Sequence, residues 1–332
     1  MILMVRTFID LFSGIGGFRI ALESLGLKCV FSSEIDAAAI KVYLDNFGET
    51  PKGDIKLIKE SDIPSHDILC AGFPCQPFSV SGKNQGFEDE RGALFFDIIR
   101  IAKYHRPKII ILENVKNIVT RDNKKTLKII IASLDTIGYN VSYKILNSGD
   151  FGLPHARERA YFVGLRKDMK VQFSFPSPDF KQVYLKQILE KSVNRRYTIR
   201  RHFKKLRRDI RTFSSKPERI GIIAKGRQGE RIYSIKGRAI TLSAHGGGAA
   251  SKTGAYYING RIRRLTPREC ARAQGFPDTF KLSITRYQAY RLFGNAVSVP
   301  VIKTTVSAAL TQLTSITSAS KSPAISIAQS SS

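Results

Sequence analysis

The chain has 332 residues, 42% hydrophobic and 24% charged, which is the composition of a soluble globular protein with one large domain or two moderate ones. No apolar run approaches the roughly 20 residues needed to cross a bilayer. Residues 1–10 pass into a strand-like segment without a signal-peptide pattern, and the four cysteines (Cys29, Cys70, Cys75, Cys270) include no Cys-x-x-Cys pair. A cytoplasmic protein without membrane anchor, disulfide framework or zinc site is therefore expected, and the net charge of +27 points to a polyanionic partner, nucleic acid first.

Residues 7–12 read as a first strand holding Asp10, followed by Ser13, Gly14, Ile15, Gly16 and Gly17 and a helical stretch to Leu25. Strand, glycine turn and helix make a dinucleotide-fold opening, although the glycines do not fit Gly-x-Gly-x-x-Gly. Residues 28–33 form a second strand ending at Glu34, 20 residues after Gly14, where a carboxylate can bind ribose hydroxyls. Gly53 and Asp54 stand at the tip of a short third strand. Residues 67–71 are a fourth, and residues 108–112 a fifth that ends at Glu113 and Asn114.

Asp10, Glu34, Asp54, Cys75 and Glu113 thus fall at or just beyond the C-terminal ends of successive predicted parallel strands, and they should share one cleft. Singly, each acid could be a helix cap or a solvated turn residue. The loop after the fourth strand, residues 72–83, sets Cys75 between Pro74 and Pro77 and continues through Ser79, Ser81, Gly82 and Lys83, a polar composition that suits an exposed loop. A cysteine so placed is a candidate nucleophile, active as a thiolate; the plainer alternative is a small buried residue in a strand-to-loop corner.

Residues 139–147 and 160–165 complete the sheet. Just before the latter, Arg157 and Arg159 alternate like a strand and can aim both guanidiniums at the cleft, or else form a solvated edge ladder. Pro176 and Pro178 mark a boundary, after which twelve Lys and Arg between Lys181 and Arg211 are opposed only by Glu190 and Asp209. Such density gives phosphate affinity without sequence information. The glycine-rich residues 221–257 suit groove-edge reading or a small β domain. Thr266, Pro267 and Glu269 announce a helix; residues 293–296 read as a turn before a closing helix over 299–313; and the serine-rich residues 314–332 are expected to be disordered.

In order, Asp10-Leu-Phe-Ser-Gly-Ile-Gly-Gly17, Glu34, Gly53-Asp54, Pro74-Cys75-Gln76, Glu113-Asn114-Val115, Arg157-Glu158-Arg159, Arg268-Glu269-Cys270 and Gly294-Asn295-Ala296-Val297 resemble the motifs of the DNA cytosine-C5 methyltransferases, over roughly residues 5–305. The resemblance implies a doubly wound, mostly parallel α/β sheet of the S-adenosylmethionine-dependent methyltransferase type, with a smaller glycine-rich, mainly β target-recognition domain. It divides the chain into 1–184 plus 295–313 for catalysis and cofactor, 185–266 for target recognition, 267–294 as hinge and 314–332 as tail.

It also implies S-adenosyl-L-methionine as methyl donor. Phe12 would lie against the adenine, Glu34 would bind the ribose and Asp54 the adenine amine, with Asp10, Gly14, Gly16, Gly17, Ile35, Ile55 and Pro74 around them and Asn295 and Val297 closing the pocket. Cys75 would add to C6 of a cytosine flipped out of duplex DNA. Glu113 would hydrogen-bond N3 and the exocyclic amine, Arg157 would hold the O2 side, and Arg159 would help orient the base. Gln228 would fill the vacated stack with Ser81 opposite, Arg231 would read guanine, and Thr241 would set the flipped nucleotide's phosphate.

The loops at 226–234 and 240–248 resemble those of a family member that methylates GCGC, which implies that target, a monomer, and the modification half of a restriction-modification system. His155 stands where the family usually has glutamine, and Ile35 and His245 where a close member has tryptophan and tyrosine. Two rival readings are methylation of tRNA on the same catalytic core and a catalytically silent DNA-binding protein.

Overall fold

The structure is a computed structural model that describes residues 5–74, 93–178, 180–206, 212–245 and 250–319. β1 (Thr7–Leu11) leads through a tight turn to α1 (Gly17–Glu23), β2 (Lys28–Ser33) and α2 (Ala37–Phe47). Then follow β3 (Ile68–Ala71), α3 (Ala93–His105), β4 (Ile109–Val115), α4 (Lys125–Thr136), β5 (Tyr139–Asn147), the two-residue β6 (His155–Ala156) and β7 (Glu158–Arg166). The main sheet has six strands in the order β2-β1-β3-β4-β7-β5. Neighbours pair in parallel from β2 to β4, whereas β7 is antiparallel to both β4 and β5.

Both faces of this sheet are covered, which is why β3 and residues 109–112 of β4 are continuous apolar runs. Phe8, Cys70, Ile109, Ile111, Tyr161 and Val163 face one core, while Ile9, Leu11, Leu69, Ile110, Leu112 and Phe162 face the other. The expected third strand is reduced to a single parallel bridge, Ser33↔Lys52. Pro51 has no N–H to extend the ladder, and Asp54 immediately caps a 3-10 turn over Ile55–Leu57. β4 runs further than expected, so that Glu113 and Asn114 lie inside it, opposite Tyr161 and Ala160 of β7.

The second sheet takes β8 (Phe203–Lys205), β9 (Arg219–Ile223) and β10 (Arg231–Ser234), then, past β11 (Ala239–Ile240), β12 (Ala255–Ile258) and β13 (Arg261–Arg263), in the order β13-β12-β10-β9-β8. Its small core is Ile199, Ile220, Ile223, Ile232, Ala250, Ala255 and Ile262. β11 leaves that sheet and pairs in parallel with β6 of the large lobe.

α5 (Pro267–Ala273) begins at the Thr266–Glu269 capping box that the sequence announces. α6 (Arg286–Asn295) includes residues 293–295, expected as a turn. Its buried Tyr290, Leu292 and Phe293 carry the helix through them, and the chain turns only at Ala296. α7 (Val299–Ala319) returns to pack on α1. It also continues through residues 314–319, expected as tail: Leu313 is buried, and the Thr314 and Ser315 hydroxyls bond back to the Leu310 and Thr311 carbonyls at 3.2 and 2.9 Å. Among the described residues, 286–315 is the one helical stretch long and apolar enough to cross a membrane, and half of its apolar window is buried inside the fold.

Candidate active site

The C-terminal ends of β1 to β4 open into a cavity of about 640 Å³. Its walls include Phe12, Gly14, Gly17, Glu34, Ile35, Asp54, Ile55, Pro74, Glu113, Arg157, Arg159, Asn295 and Val297, which the sequence reading had singled out. Asp10 and Gly16 do not line it. Cys75 and Ser81 lie outside the described residues, as does the side chain of Gln228. Arg231 and Thr241 belong to the second lobe and are not on the wall; the buried Nε of Arg231 meets no hydrogen-bond partner among the described residues.

The glycine turn is wound by left-handed backbone at every second residue: Phe12 (φ 58°), Gly14 (φ 53°) and Gly16 (φ 82°). Glycine takes that conformation freely, and phenylalanine does not. A Cβ on Gly14 would meet nothing within 4 Å, so this part of the turn is open, whereas one on Gly16 would sit 2.3 Å from the Phe47 ring. Gly17 lets Val297, from the far end of the chain, come where a Cβ would be 2.7 Å from Val297 Cγ2.

Glu34 fastens this turn to the end of β2. Its Oε2 accepts from Gly14 N at 2.8 Å, and its Oε1 accepts from Ile35 N and Asp36 N at 2.8 Å. A carboxylate offers about four acceptor positions, so capacity remains for a ligand's hydroxyls. Asp54 Oδ1 accepts from Lys56 N at 3.0 Å, so it is a cap as well as a wall residue. Asp36 caps α2 through Ala38 N and Ala39 N, and the Arg291 guanidinium, forked onto it from α6, holds its carboxyl below the usual range. Asp10 is fully buried with neither oxygen hydrogen-bonded among the described residues, and burial, with Glu34 adding, pushes its pKa well up.

At the other end of the cavity, Glu113 is buried and its Oε1 lies 3.3 Å from Arg159 Nε. Burial raises the Glu113 pKa against the opposing pull of Arg159 and Arg157. Arg157 does not continue a strand with Arg159; it stands in the link between β6 and β7. At 1% exposure it donates to three main-chain carbonyls, through Nη1 to Leu242 (3.3 Å) and Gly294 (3.0 Å) and through Nη2 to Ala296 (2.9 Å). Burial, then Arg159, lowers its pKa to about 9.

Three further ties hold this end. Asn114 Nδ2 donates to Phe73 O at 2.9 Å, tying β4 to the backbone two residues before Cys75. Thr241 Oγ1 donates to Ala156 O at 2.6 Å, and Leu242 N donates to His155 Nε2 at 2.8 Å. Burial, with Arg157 and Arg159 beside it, keeps the His155 pKa well below its ordinary value. Of these residues, Asn114 stands in a sequence motif that assigns it no role, and Asp36 and Arg291 stand in none. An Asp two residues after Glu34 and just before an Ala-rich helix is an N-cap signal; nothing local marks Arg291.

The profile of the C-5 cytosine-specific DNA methylases matches residues 6–310. The chain is 49% identical to the type II methyltransferase M.HhaI of Haemophilus parahaemolyticus over 299 residues, 89% of this chain and 91% of that protein. It is 45% identical to M.HaeII of Haemophilus aegyptius over 299 residues, 89% and 90% of the two. Among solved structures, the Dnmt2 methyltransferase of S. pombe superposes with a TM-score of 0.72 at 20% identity, covering 92% of this chain and 98% of its own. A putative DNA modification methyltransferase from an E. coli prophage gives 0.69 at 20% identity, covering 93% and 99%. At such identities these two likenesses speak to the fold.

Proposed function

Because this chain belongs to the C-5 cytosine-specific DNA methylase family and is a DNA (cytosine-5-)-methyltransferase, we propose that it methylates the inner cytosine of GCGC in duplex DNA through covalent addition of Cys75. The observation that carries this reading is the placement of the Glu34-tied glycine turn and the buried Glu113–Arg159 pair on one cavity, with Pro74, the residue before Cys75, on its wall.

The turn end of the cavity fits S-adenosyl-L-methionine. Gly14 leaves space, Glu34 keeps acceptor capacity for ribose hydroxyls, Asp54 can accept from the adenine amine, and Phe12, Ile35 and Ile55 offer apolar surface; Pro74, Asn295 and Val297 would close over the rest. The bound cofactor would supply a methyl group on a sulfonium, an electrophile for cytosine C5.

The protein's part is to make C5 nucleophilic. The Cys75 thiolate adds to C6, and the ring electrons released toward N3 are met by Glu113, which donates its proton there and accepts from the exocyclic amine. Its raised pKa favours the protonated state that this donation requires. Arg159 then faces the carboxylate so formed, and Arg157 holds the surrounding loops. Loss of the C5 proton to solvent, expulsion of Cys75 and return of the N3 proton to Glu113 regenerate the thiolate and the carboxylic acid and leave 5-methylcytosine. The base must leave the stack to reach a cavity of this depth, at a cost of a few kcal/mol.

On this reading residues 1–184 with 295–313 bind cofactor and catalyse, 185–266 recognise the target and 267–294 form the hinge. Gln228 and Ser81 occupy the gap left by the flipped base, Arg231 reads guanine and Thr241 holds the flipped nucleotide's phosphate. The enzyme acts as a cytoplasmic monomer, the modification partner of a restriction endonuclease.

The test is transfer of labelled methyl to duplexes carrying GCGC, other CG contexts or no CG, with a Cys75→Ser control and a tRNA substrate. Methylation of GCGC alone, lost in the control, is expected. Transfer to another DNA site would discard the target, and transfer to tRNA alone would discard the DNA substrate.

A further inference from the structure

Where main-chain pairing between the two lobes stops, side chains take over. β6 and β11 pair only at Ala239↔His155 and Ile240↔Ala156. Two residues on, the Leu242 N–H donates to His155 Nε2 at 2.8 Å and the Leu242 carbonyl accepts from Arg157 Nη1 at 3.3 Å. Alternate residues of one segment thus capture both polar groups of a single residue opposite, as the next rung of a ladder would. On one side of this rung Thr241 bonds to Ala156 O; on the other His245 stands on the cavity wall.

His155 and Leu242 are fully buried, so a Leu242 N–H deprived of its acceptor has no ready substitute, and leaving such a donor unmet is costly. With Nε2 accepting, the ring proton sits on Nδ1. The imidazole serves only while unprotonated, and burial together with the guanidiniums of Arg157 and Arg159 keeps it so.

We propose that His155 is a positioning residue that sets the register of the 241–245 loop against β6 and the β6–β7 link, and so decides how well duplex DNA is held at Thr241 and at the cavity mouth beside His245. The inference rests on the DNA methyltransferase reading above. Arg157 and the short β6–β11 ladder fix the loop's direction, while His155 fixes its depth through the Leu242 N–H, which neither of them reaches.

Methyl transfer to duplex DNA by wild type, His155→Leu and His155→Gln tests this, together with cofactor affinity, thermal unfolding and hydrogen exchange at the Leu242 amide. Leucine fills the space without an acceptor and is expected to raise KM for DNA about 5- to 150-fold, with kcat and cofactor Kd unchanged and Leu242 exchange accelerated. Glutamine, whose amide oxygen can accept the same N–H, is expected to restore wild-type KM and slow exchange.

A leucine variant with wild-type KM and exchange overturns the role, as does a loss shared by kcat and cofactor Kd or a folded glutamine variant that fails to recover. Failure of either variant to fold would make His155 a requirement of folding instead, which also overturns it. Wild type inactive on every DNA would sink the methyltransferase reading itself. Amide exchange, which needs no substrate, would then still decide whether His155 holds the loop.

Discussion

At the scale of single residues, the site depends on groups kept in states that water would not favour. Glu113 is the clearest: burial raises its pKa although two guanidiniums oppose it. Its folded value lies above the unfolded one, so its contribution to stability is complete below the ordinary carboxyl range and is lost as pH rises through the folded value. Glu113→Gln carries no such equilibrium. The variant should gain stability relative to wild type as pH rises from about 4.5, while methyl transfer falls by roughly 10²- to 10⁴-fold. Denaturant midpoints across pH for both proteins check the first part, and parallel curves would contradict it. Phe12 illustrates the same trade in the backbone. At φ 58°, glycine would relieve strain that alanine keeps, so Phe12→Gly should be more stable than Phe12→Ala by about 1 kcal/mol. Both should lose cofactor affinity, as read by equilibrium binding, because both lack the ring.

At the scale of elements, much of the large lobe was legible. β2 and β5 lie where the sequence is expected to form them, at 28–33 and 139–147, and the Thr266–Glu269 box starts α5 as announced. The local rules failed where a distant partner decides. Arg157 alternates with Arg159 like a strand residue, yet its carbonyl partners are 85, 137 and 139 residues away in sequence, beyond any local pattern. The glycine of Gly294-Asn295 suggested a turn, but it lies in α6 because the 243–244 backbone packs against it. A Cβ there would lie 2.2 Å from Ala244 N and 2.5 Å from the Ser243 carbonyl carbon. Gly294→Ala must therefore push the loop off the helix. We expect a stability loss of about 1–3 kcal/mol and a fall in methyl transfer, measured by chemical denaturation and the labelled-methyl assay; an active variant of wild-type stability would show that the loop yields freely.

At the scale of the whole molecule, two electrostatic arrangements act at different depths. Arg263 of β13 and Glu269 of α5 form a buried bidentate pair, both contacts 2.7 Å, that ties the second sheet to the helices behind it. Removing one partner strands the other charge, so Arg263→Leu should cost about 3–5 kcal/mol in unfolding free energy. The exposed charges should matter to binding instead. Lys204 and Lys205 lie on the exposed edge strand β8, and if each meets a phosphate, replacing both with glutamine should weaken target and non-target DNA alike and reduce the salt slope by about 2. Titrations at several salt concentrations would show it, and a selective loss on the target would assign these lysines to sequence reading instead.

The contact between Gly17 and Val297 has a further consequence, for the order in which the protein becomes competent. One wall of the proposed cofactor pocket comes from the first strand–helix unit and the facing wall from residues 291–297, which the ribosome makes only after the entire second sheet. A nascent chain therefore has no complete pocket at any earlier stage. On the proposed function, the enzyme cannot hold its methyl donor, or mark DNA with a half-formed specificity, until residues 185–266, the proposed recognition lobe, have already been synthesised.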